Sequence, residues 1–293
     1  VIIPLAKAKL IVDGKSVVLK SIPSVIPNNS ASTSSYFALV NKVLTEGVKR
    51  NQERTGVGTL GIFGANLELN LKAGFPLLTH RRIFYKGVIG ELIAFLRGHT
   101  NVNDFKTLGC NYWDAWAEED GNLGPIYGSQ WRNYSGLQID QLKNVIQEAK
   151  VNPESRRLYV SAWNPVDADK MALLPCFHGF QLFIHNNHLS LLVNMRSSDV
   201  MVGLPSDILF HSLLMLVLSN ELDTTPHKLI FNLGDAHIYN NHTQFAKTAH
   251  ELEIFNPPSV KLHYEAGIDN LYPADFIIAS YKHNAAKKLE VNV

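Results

Sequence analysis

Pro175-Cys176-Phe177-His178 heads an apolar run, and twenty residues after the cysteine stands Arg196 in Met195-Arg196-Ser197-Ser198-Asp199. A thiolate is a strong nucleophile whose pKa falls beside Arg or His, so Cys176 is either a covalent catalyst or a buried core thiol. Cys110 has no such company and reads as core. Arg54, the pair Arg156 and Arg157, and Arg196 carry guanidinium forks that match phosphate oxygens; taken singly, each is a surface ion pair. Were Arg156 and Arg157 on a strand, they would point to opposite faces, and one ligand could meet both only through special geometry. Glu91 interrupts the apolar stretch GVIGELIAFLR, either as a paired structural charge or as a carboxyl with raised pKa suited to proton transfer. His237 and Tyr239 alternate along Gly234-Asp235-Ala236-His237-Ile238-Tyr239 and either grip a sugar hydroxyl or sit at a sheet rim. His185-Asn186-Asn187-His188 has no Cys or carboxylate partner, so it reads as a solvated turn and no metal site is expected.

The elements that must position these residues follow from periodicity. The first 35 residues stand apart: LIVDGKSVVL alternates about Asp13-Gly14 as a hairpin would, and SIPSVIPNNSASTSS suits a linker or arm. Apolar spacing predicts helices over Tyr36 to Arg50, Gly87 to Arg97 and Asp140 to Lys150, with a buried helix over Ile208 to Leu222. Strands are expected within Gly56 to Leu71, and in RRLYVSAW, FHGFQLFIH, LSLLVNMR and LIFNLGDAHIY, with a turn at Asn186-Asn187. These pieces give an N-terminal arm over 1–35 and one α+β domain over 36–293, a mixed, mostly antiparallel sheet packed with helices.

Composition narrows the class. Hydrophobic residues at 46% and charged residues at 18% fit a globular chain, and 27 Lys+Arg against 26 Asp+Glu leaves +1, without the excess of a nucleic-acid binder. No stable nucleic-acid partner is therefore expected, and any bound anion needs a local cluster of positive charge. Two cysteines imply no disulfide framework and a reducing, cytoplasmic setting; no signal peptide or membrane span is expected. GxxxxGK[ST] does not occur, and the glycines of TGVGTLG are wrongly spaced for a dinucleotide fingerprint.

Taken in order, the segments resemble the thymidylate synthase family from about Tyr36 to about His283. Glu53-Arg54-Thr55-Gly56-Val57-Gly58-Thr59 is similar to its phosphate loop, and Gly90-Glu91-Leu92 to its catalytic-glutamate helix. Trp113-Asp114-Ala115-Trp116 and Gly124-Pro125-Ile126-Tyr127-Gly128 resemble its folate-side and proton-abstraction segments. Ser155-Arg156-Arg157, Leu174-Pro175-Cys176, Arg196-Ser197-Ser198-Asp199 and the Gly234 to Tyr239 segment complete the set.

The resemblance implies roles. Cys176 would add to C6 of a pyrimidine, making C5 nucleophilic toward the one-carbon unit of 5,10-methylenetetrahydrofolate. Arg54, Arg196 and Ser197 would hold the 5′-phosphate, with Arg156 and Arg157 reaching in from the second subunit of a homodimer joined through the sheet. Glu91 would manage protons through water and Tyr127 would help remove the C5 proton. His237 and Tyr239 would bind the deoxyribose hydroxyl, and Trp113, Trp116, Asp199 and Gly203 would line the folate side.

Departures from the family's pattern bear on the substrate. Asp207, eleven residues after Arg196, stands where synthases carry the asparagine that reads uracil. A carboxyl group accepts from the amino group of cytosine, and its pairing with N3 needs one shared proton. Deoxycytidylate hydroxymethylases, which resemble thymidylate synthase, carry this replacement. Asn194-Met195 also looks like their version, and Phe177 and Phe84 replace polar residues of synthases. The expected activity is hydroxymethylation of dCMP for modified-DNA synthesis, as in phages acting in a host cytoplasm. The alternatives are dCMP methylation, thymidylate synthesis from dUMP, and an idle nucleotide- or RNA-binding relative.

Overall fold

A computed structural model describes residues 8–12, 15–19, 30–51, 55–264, 267–285 and 288–292, with side chains from Ser32 onward. Strands β1 (Ala8–Val12) and β2 (Lys15–Leu19) pair antiparallel, as the alternation predicts, while the Asp13-Gly14 turn lies outside the described residues. Helix α1 spans Ser30–Glu46, so Ser30 to Ser35, expected in a linker, are its first turns. It stops before Gly47, where an added Cβ would lie 2.3 Å from the Val43 carbonyl oxygen, and Val48–Arg50 becomes the edge strand β3 instead of helix. The remaining elements are β4 (Thr59–Asn70), α2 (Tyr85–Leu96), α3 (Val102–Thr107), α4 (Tyr127–Arg132), α5 (Gln141–Val151), β5 (Tyr159–Ser161), β6 (Phe177–His185), β7 (His188–Asp199), α6 (Gly203–Glu221), β8 (Thr225–Tyr239), α7 (Thr243–Thr248), β9 (Ser259–Leu262) and β10 (Phe276–Ala279).

Six strands form the main sheet in the order β3-β4-β8-β7-β6-β5, antiparallel except where β7 runs parallel to β8. The architecture is the expected mixed, mostly antiparallel α+β fold. Asn186 and Asn187, at φ +47° and +60°, make the two-residue turn between β6 and β7, a conformation that asparagine tolerates. One face of the sheet (Leu67, Leu69, Phe180, Leu182, Leu191, Val193, Leu229, Phe231) is buried in the core. Helix α6, apolar all round and buried over most of its length, runs through that core. By length and composition it could cross a membrane, but it is packed inside the protein.

The opposite face carries Glu68, Asn66, Ile230, Asn232, Leu192, Asn194, Gln181 and Phe183 on paired registers, and among the described residues no helix buries them. A concavity of about 890 Å³ lies on this face, lined by Arg156, Gln181, Phe183, Leu192, Lys228 and Ile230 among others. It is remote from Cys176, so size alone does not locate the chemistry; the convergence of strand ends does.

Candidate active site

Several chain segments end together at one edge of the core. The last residues of β7 and β8 lie side by side, Ser197 beside Asp235 and Asp199 beside His237. On the other flank of β8, Gly61 of β4 faces His237 and Thr59 faces Tyr239. The loop that opens β4 leans on the same corner, since the Asn240 amide donates to the Gly58 carbonyl at 2.9 Å. β6 starts beside β7, where the Arg196 amide donates to the Cys176 carbonyl at 2.9 Å. Between β7 and α6 the chain turns at Asp199, whose Oδ1 accepts the Met201 and Val202 amides at 3.0 and 3.2 Å. Asp207 then returns on the second turn of α6. The alternation and helical periodicity of the sequence thus place six distant motifs at one cleft.

Arg196 holds the loop that leads into Cys176. Its Nε donates to the Pro175 carbonyl and its Nη2 to the Leu174 carbonyl, both at 2.9 Å, and its guanidinium lies 6.0 Å over the Trp163 ring. The side chain is exposed, and it has five N–H donors in all, so donors remain for an anion beside Ser197. Tyr127 Oη accepts the Cys176 amide at 2.8 Å. Burial holds the Tyr127 phenol well above its ordinary pKa, with the charges of Cys176, Asp207 and Glu91 adding to the rise. Its own proton therefore stays on and can be donated elsewhere.

Two acids share the cleft. Glu91 sits mid-helix in α2; Oε1 accepts from Trp113 Nε1 at 2.7 Å and Oε2 from Tyr112 Oη at 2.9 Å. Burial raises its pKa to about 7, opposed by those two hydrogen bonds. Asp207 is pushed well above the carboxylate range by burial, and the nearby charges of Glu91 and Asp199 push it further. The rise favours the protonated form of Asp207, which can donate as well as accept. One turn on, His211 Nδ1 lies 2.8 Å from the Asp207 main-chain carbonyl, which can only accept, so Nδ1 carries the proton. Burial among Phe177, Phe210 and Phe231 pulls His211 down to about 4, which keeps it neutral.

His237 and Tyr239 are buried with their rings edge to face at 5.1 Å. His237 Nδ1 is 3.0 Å from Asp235 Oδ1, and Asp235 also pairs with Arg50. Trp113 is buried and Trp116 half-buried, 5.4 Å apart between ring centres. Arg54 lies outside the described residues. Arg156 and Arg157 are in a turn ahead of β5, not on a strand as the sequence suggested, so the opposite-face objection falls away. They do not join this cleft. The Leu182 amide donates to the Leu158 carbonyl at 2.8 Å, which sets the pair beside the far half of β6. Six residues of strand separate Leu182 from Cys176, roughly 20 Å at about 3.3 Å per residue.

The sequence profile of the thymidylate synthases matches residues 34–293. The chain belongs to the thymidylate synthase family. Members of this family carry out folate-dependent one-carbon transfer to C5 of a pyrimidine nucleotide, with methylenetetrahydrofolate as co-substrate. The match extends ten residues beyond the resemblance read from motifs, to the end of the chain. Among the described residues no cluster of His, Cys, Asp and Glu could hold a metal ion.

The structure adds residues that motif reading passed over. Tyr112 is a second donor to Glu91, and Asp235 orients His237. Arg81 Nη2 donates to the Met201 and Val202 carbonyls at 3.0 and 3.3 Å, bracing the loop before Asp207. Only Tyr112 had a local signal, its place next to the tryptophan pair.

Proposed function

We propose that this member of the family acts on dCMP and is a deoxycytidylate 5-hydroxymethylase, converting dCMP, methylenetetrahydrofolate and water to 5-hydroxymethyl-dCMP and tetrahydrofolate. The observation that carries the reading is Asp207 on the second turn of α6, a carboxyl raised well above its ordinary pKa beside Glu91 and Asp199. A protonated carboxyl can donate to cytosine N3 while its second oxygen accepts from the exocyclic amine. It can also donate to O4 of uracil, but N3 of cytosine is a far stronger base than a carbonyl oxygen, so the shared proton binds dCMP more tightly. As pH rises the pair with uracil loses its proton first. Selectivity for dCMP should therefore increase with pH before both substrates are lost.

Cys176 would add through sulfur to C6, with Arg196 and Ser197 on the phosphate and His237 and Tyr239 on the deoxyribose hydroxyl. Tyr127, neutral and within reach of the Cys176 loop, would donate to and orient the water that takes the C5 proton. Methylenetetrahydrofolate would supply the one-carbon unit. Gly203 leaves open space on its side of the cleft: an added Cβ there would meet only Asp199 at 3.7 Å and Asp207 at 3.8 Å. Glu91 would manage the proton of water at the pyrimidine.

The reading includes a homodimer through the open sheet face. Arg156 and Arg157 are roughly 20 Å of strand from their own Cys176, so a phosphate met by all four arginines requires a second copy. Mass spectrometry of the product from dCMP and methylenetetrahydrofolate tests the proposal. Gain of CH2O supports it, and gain of CH2 with rising dihydrofolate absorbance would replace it with dCMP methylation. Equal turnover of dCMP and dUMP would remove the role of Asp207.

A further inference from the structure

Helix α2 contains two glycines close to its one acid, Gly87 four residues before Glu91 and Gly90 immediately before it. A mid-helix glycine costs about 1 kcal/mol relative to alanine, so two of them point to a close approach. The structure shows what approaches. A Cβ at Gly90 would lie 2.4 Å from the Leu108 carbonyl oxygen and 3.0 Å from the Cys110 nitrogen. A Cβ at Gly87 would lie 2.6 Å from the Phe84 ring and 2.9 Å from Tyr112 Cε1. The segment from Leu108 to Trp113 thus lies flat on the helix because these side chains are missing, and it delivers two donors to one carboxylate. Trp113 Nε1 takes Oε1 at 2.7 Å, and Tyr112 Oη takes Oε2 at 2.9 Å.

We propose that Tyr112 is a positioning residue for Glu91, fixing the carboxylate plane and favouring its charged form so that Glu91 accepts a proton from the water that completes the hydroxymethyl group. This rests on the hydroxymethylase reading of the same cleft. Each carboxylate oxygen has two acceptor positions, so after both donors are counted each still has one for water. With either oxygen unheld the group could rotate, and the water would lose its alignment. Trp113 alone fixes one oxygen; Tyr112 fixes the second and so defines the plane.

The step balances without any further reagent. Water oxygen forms a bond to the exocyclic methylene carbon on C5, and its O–H bond breaks with the proton passing to Glu91. The methylene π pair moves into the ring toward C4. It returns to form the C5–C6 double bond as the bond from C6 to Cys176 sulfur breaks and the thiolate leaves. Burial raises Glu91 to about 7, and the two donors work against that rise. Without Tyr112 the proton-bound form would persist to higher pH, and a protonated Glu91 cannot take up the water's proton.

The test uses the full chain with Tyr112→Phe, which removes one hydroxyl and leaves the ring. Its companion replaces Tyr112 by 3-fluorotyrosine, whose more acidic phenol is a stronger donor. Rates of 5-hydroxymethyl-dCMP formation are followed against pH, together with KM for dCMP. Y112F should move the midpoint of the rising limb up by about half a unit to one unit and lower kcat about tenfold, with KM within about twofold. The fluorinated protein should move the midpoint down. A midpoint unmoved in both proteins overturns the proposal, as does a loss confined to KM. A wild-type product bearing a methyl group overturns the hydroxymethylase reading and the water's role with it. In that case the midpoint shift, measured on methyl transfer, still decides whether Tyr112 governs the charge of Glu91.

Discussion

The open sheet face and the cleft treat polar groups in opposite ways. On the open face Asn66 Nδ2 donates to Asn232 Oδ1 at 3.1 Å, and Asn232 Nδ2 donates to Asn194 Oδ1 at 3.0 Å, a ladder across β4, β8 and β7. Glu68 on the same face meets Lys228 at 2.7 Å. At the cleft, among the described residues, Glu91 receives neutral donors from Trp113 and Tyr112, and burial together with Glu91 and Asp199 opposes charge on Asp207. Paired groups hold a surface in register, and groups denied a counter-ion hold a proton ready to move. The same chain makes both because the ladder residues stand side by side on paired strands, whereas Glu91 and Asp207 sit on the separate helices α2 and α6.

The contrast can be broken from the cleft side first. Cys176→Ala should abolish turnover by at least ~10⁴-fold while dCMP binding persists, measured by single-turnover assay and calorimetry. Retained turnover would mean that the thiol is not the nucleophile. Subunit mixing probes the open face next: Cys176→Ala and Arg156→Ala/Arg157→Ala proteins, each inert, should regain about a quarter of wild-type activity when mixed and refolded. That fraction follows if half the dimers are mixed and each carries one complete site. Silence of the mixture would mean that the arginines serve the cysteine of their own subunit, and activity of the arginine variant alone would place them outside the catalytic assembly.

The acids give the next two effects. Glu91 has a folded pKa of about 7 against an ordinary value of 4.5, so it contributes full stability below about 4.5 and loses it as pH rises through 7. Glu91→Gln should remove this decline, gaining on the order of 2 to 3 kcal/mol over wild type at pH 8 by urea unfolding and almost nothing at pH 4. Tyr112 can accept from the new amide by rotating its hydroxyl, so the packing survives. Parallel stability curves for the two proteins would show that burial does not perturb Glu91. Asp207→Asn should then shift the dCMP/dUMP ratio of kcat/KM toward dUMP by about 10- to 100-fold. An unchanged ratio would separate Asp207 from base selection.

Strand periodicity and apolar helices were legible in the sequence because each reflects a local rule. FHGFQLFIH and LSLLVNMR fall in β6 and β7, and the run from Ile208 to Leu222 falls in α6 up to Glu221. The limits of α1 were not legible, since Ser30 to Ser35 have linker composition, yet they are helical and Ser32 and Thr33 are buried. Among site residues, Cys176, Glu91, Asp207 and Arg196 stood out by type and order. Tyr112 did not, because its role depends on glycines 22 and 25 positions earlier that let two segments touch. Arg156 and Arg157 posed a problem under the assumption of a strand, and a turn removes it.

The smallest effect bears on the open face. Asn232 sits mid-ladder, and Asn232→Ala strands Asn194 Oδ1 and Asn66 Nδ2. In water, those atoms recover partners and the loss is about 1 kcal/mol or less; covered by a second copy, they cannot, and each costs about 1–3 kcal/mol. The difference depends on assembly, so urea unfolding of Asn232→Ala against wild type should show a penalty that grows with protein concentration. A penalty that stays constant across dilution would mean that the ladder faces solvent. The two arginines ahead of β5 would then have no second cleft to reach. Because Asn232 lies on the face turned away from Cys176, the variant should leave the pH dependence of turnover untouched, which separates loss of assembly from damage to the cleft.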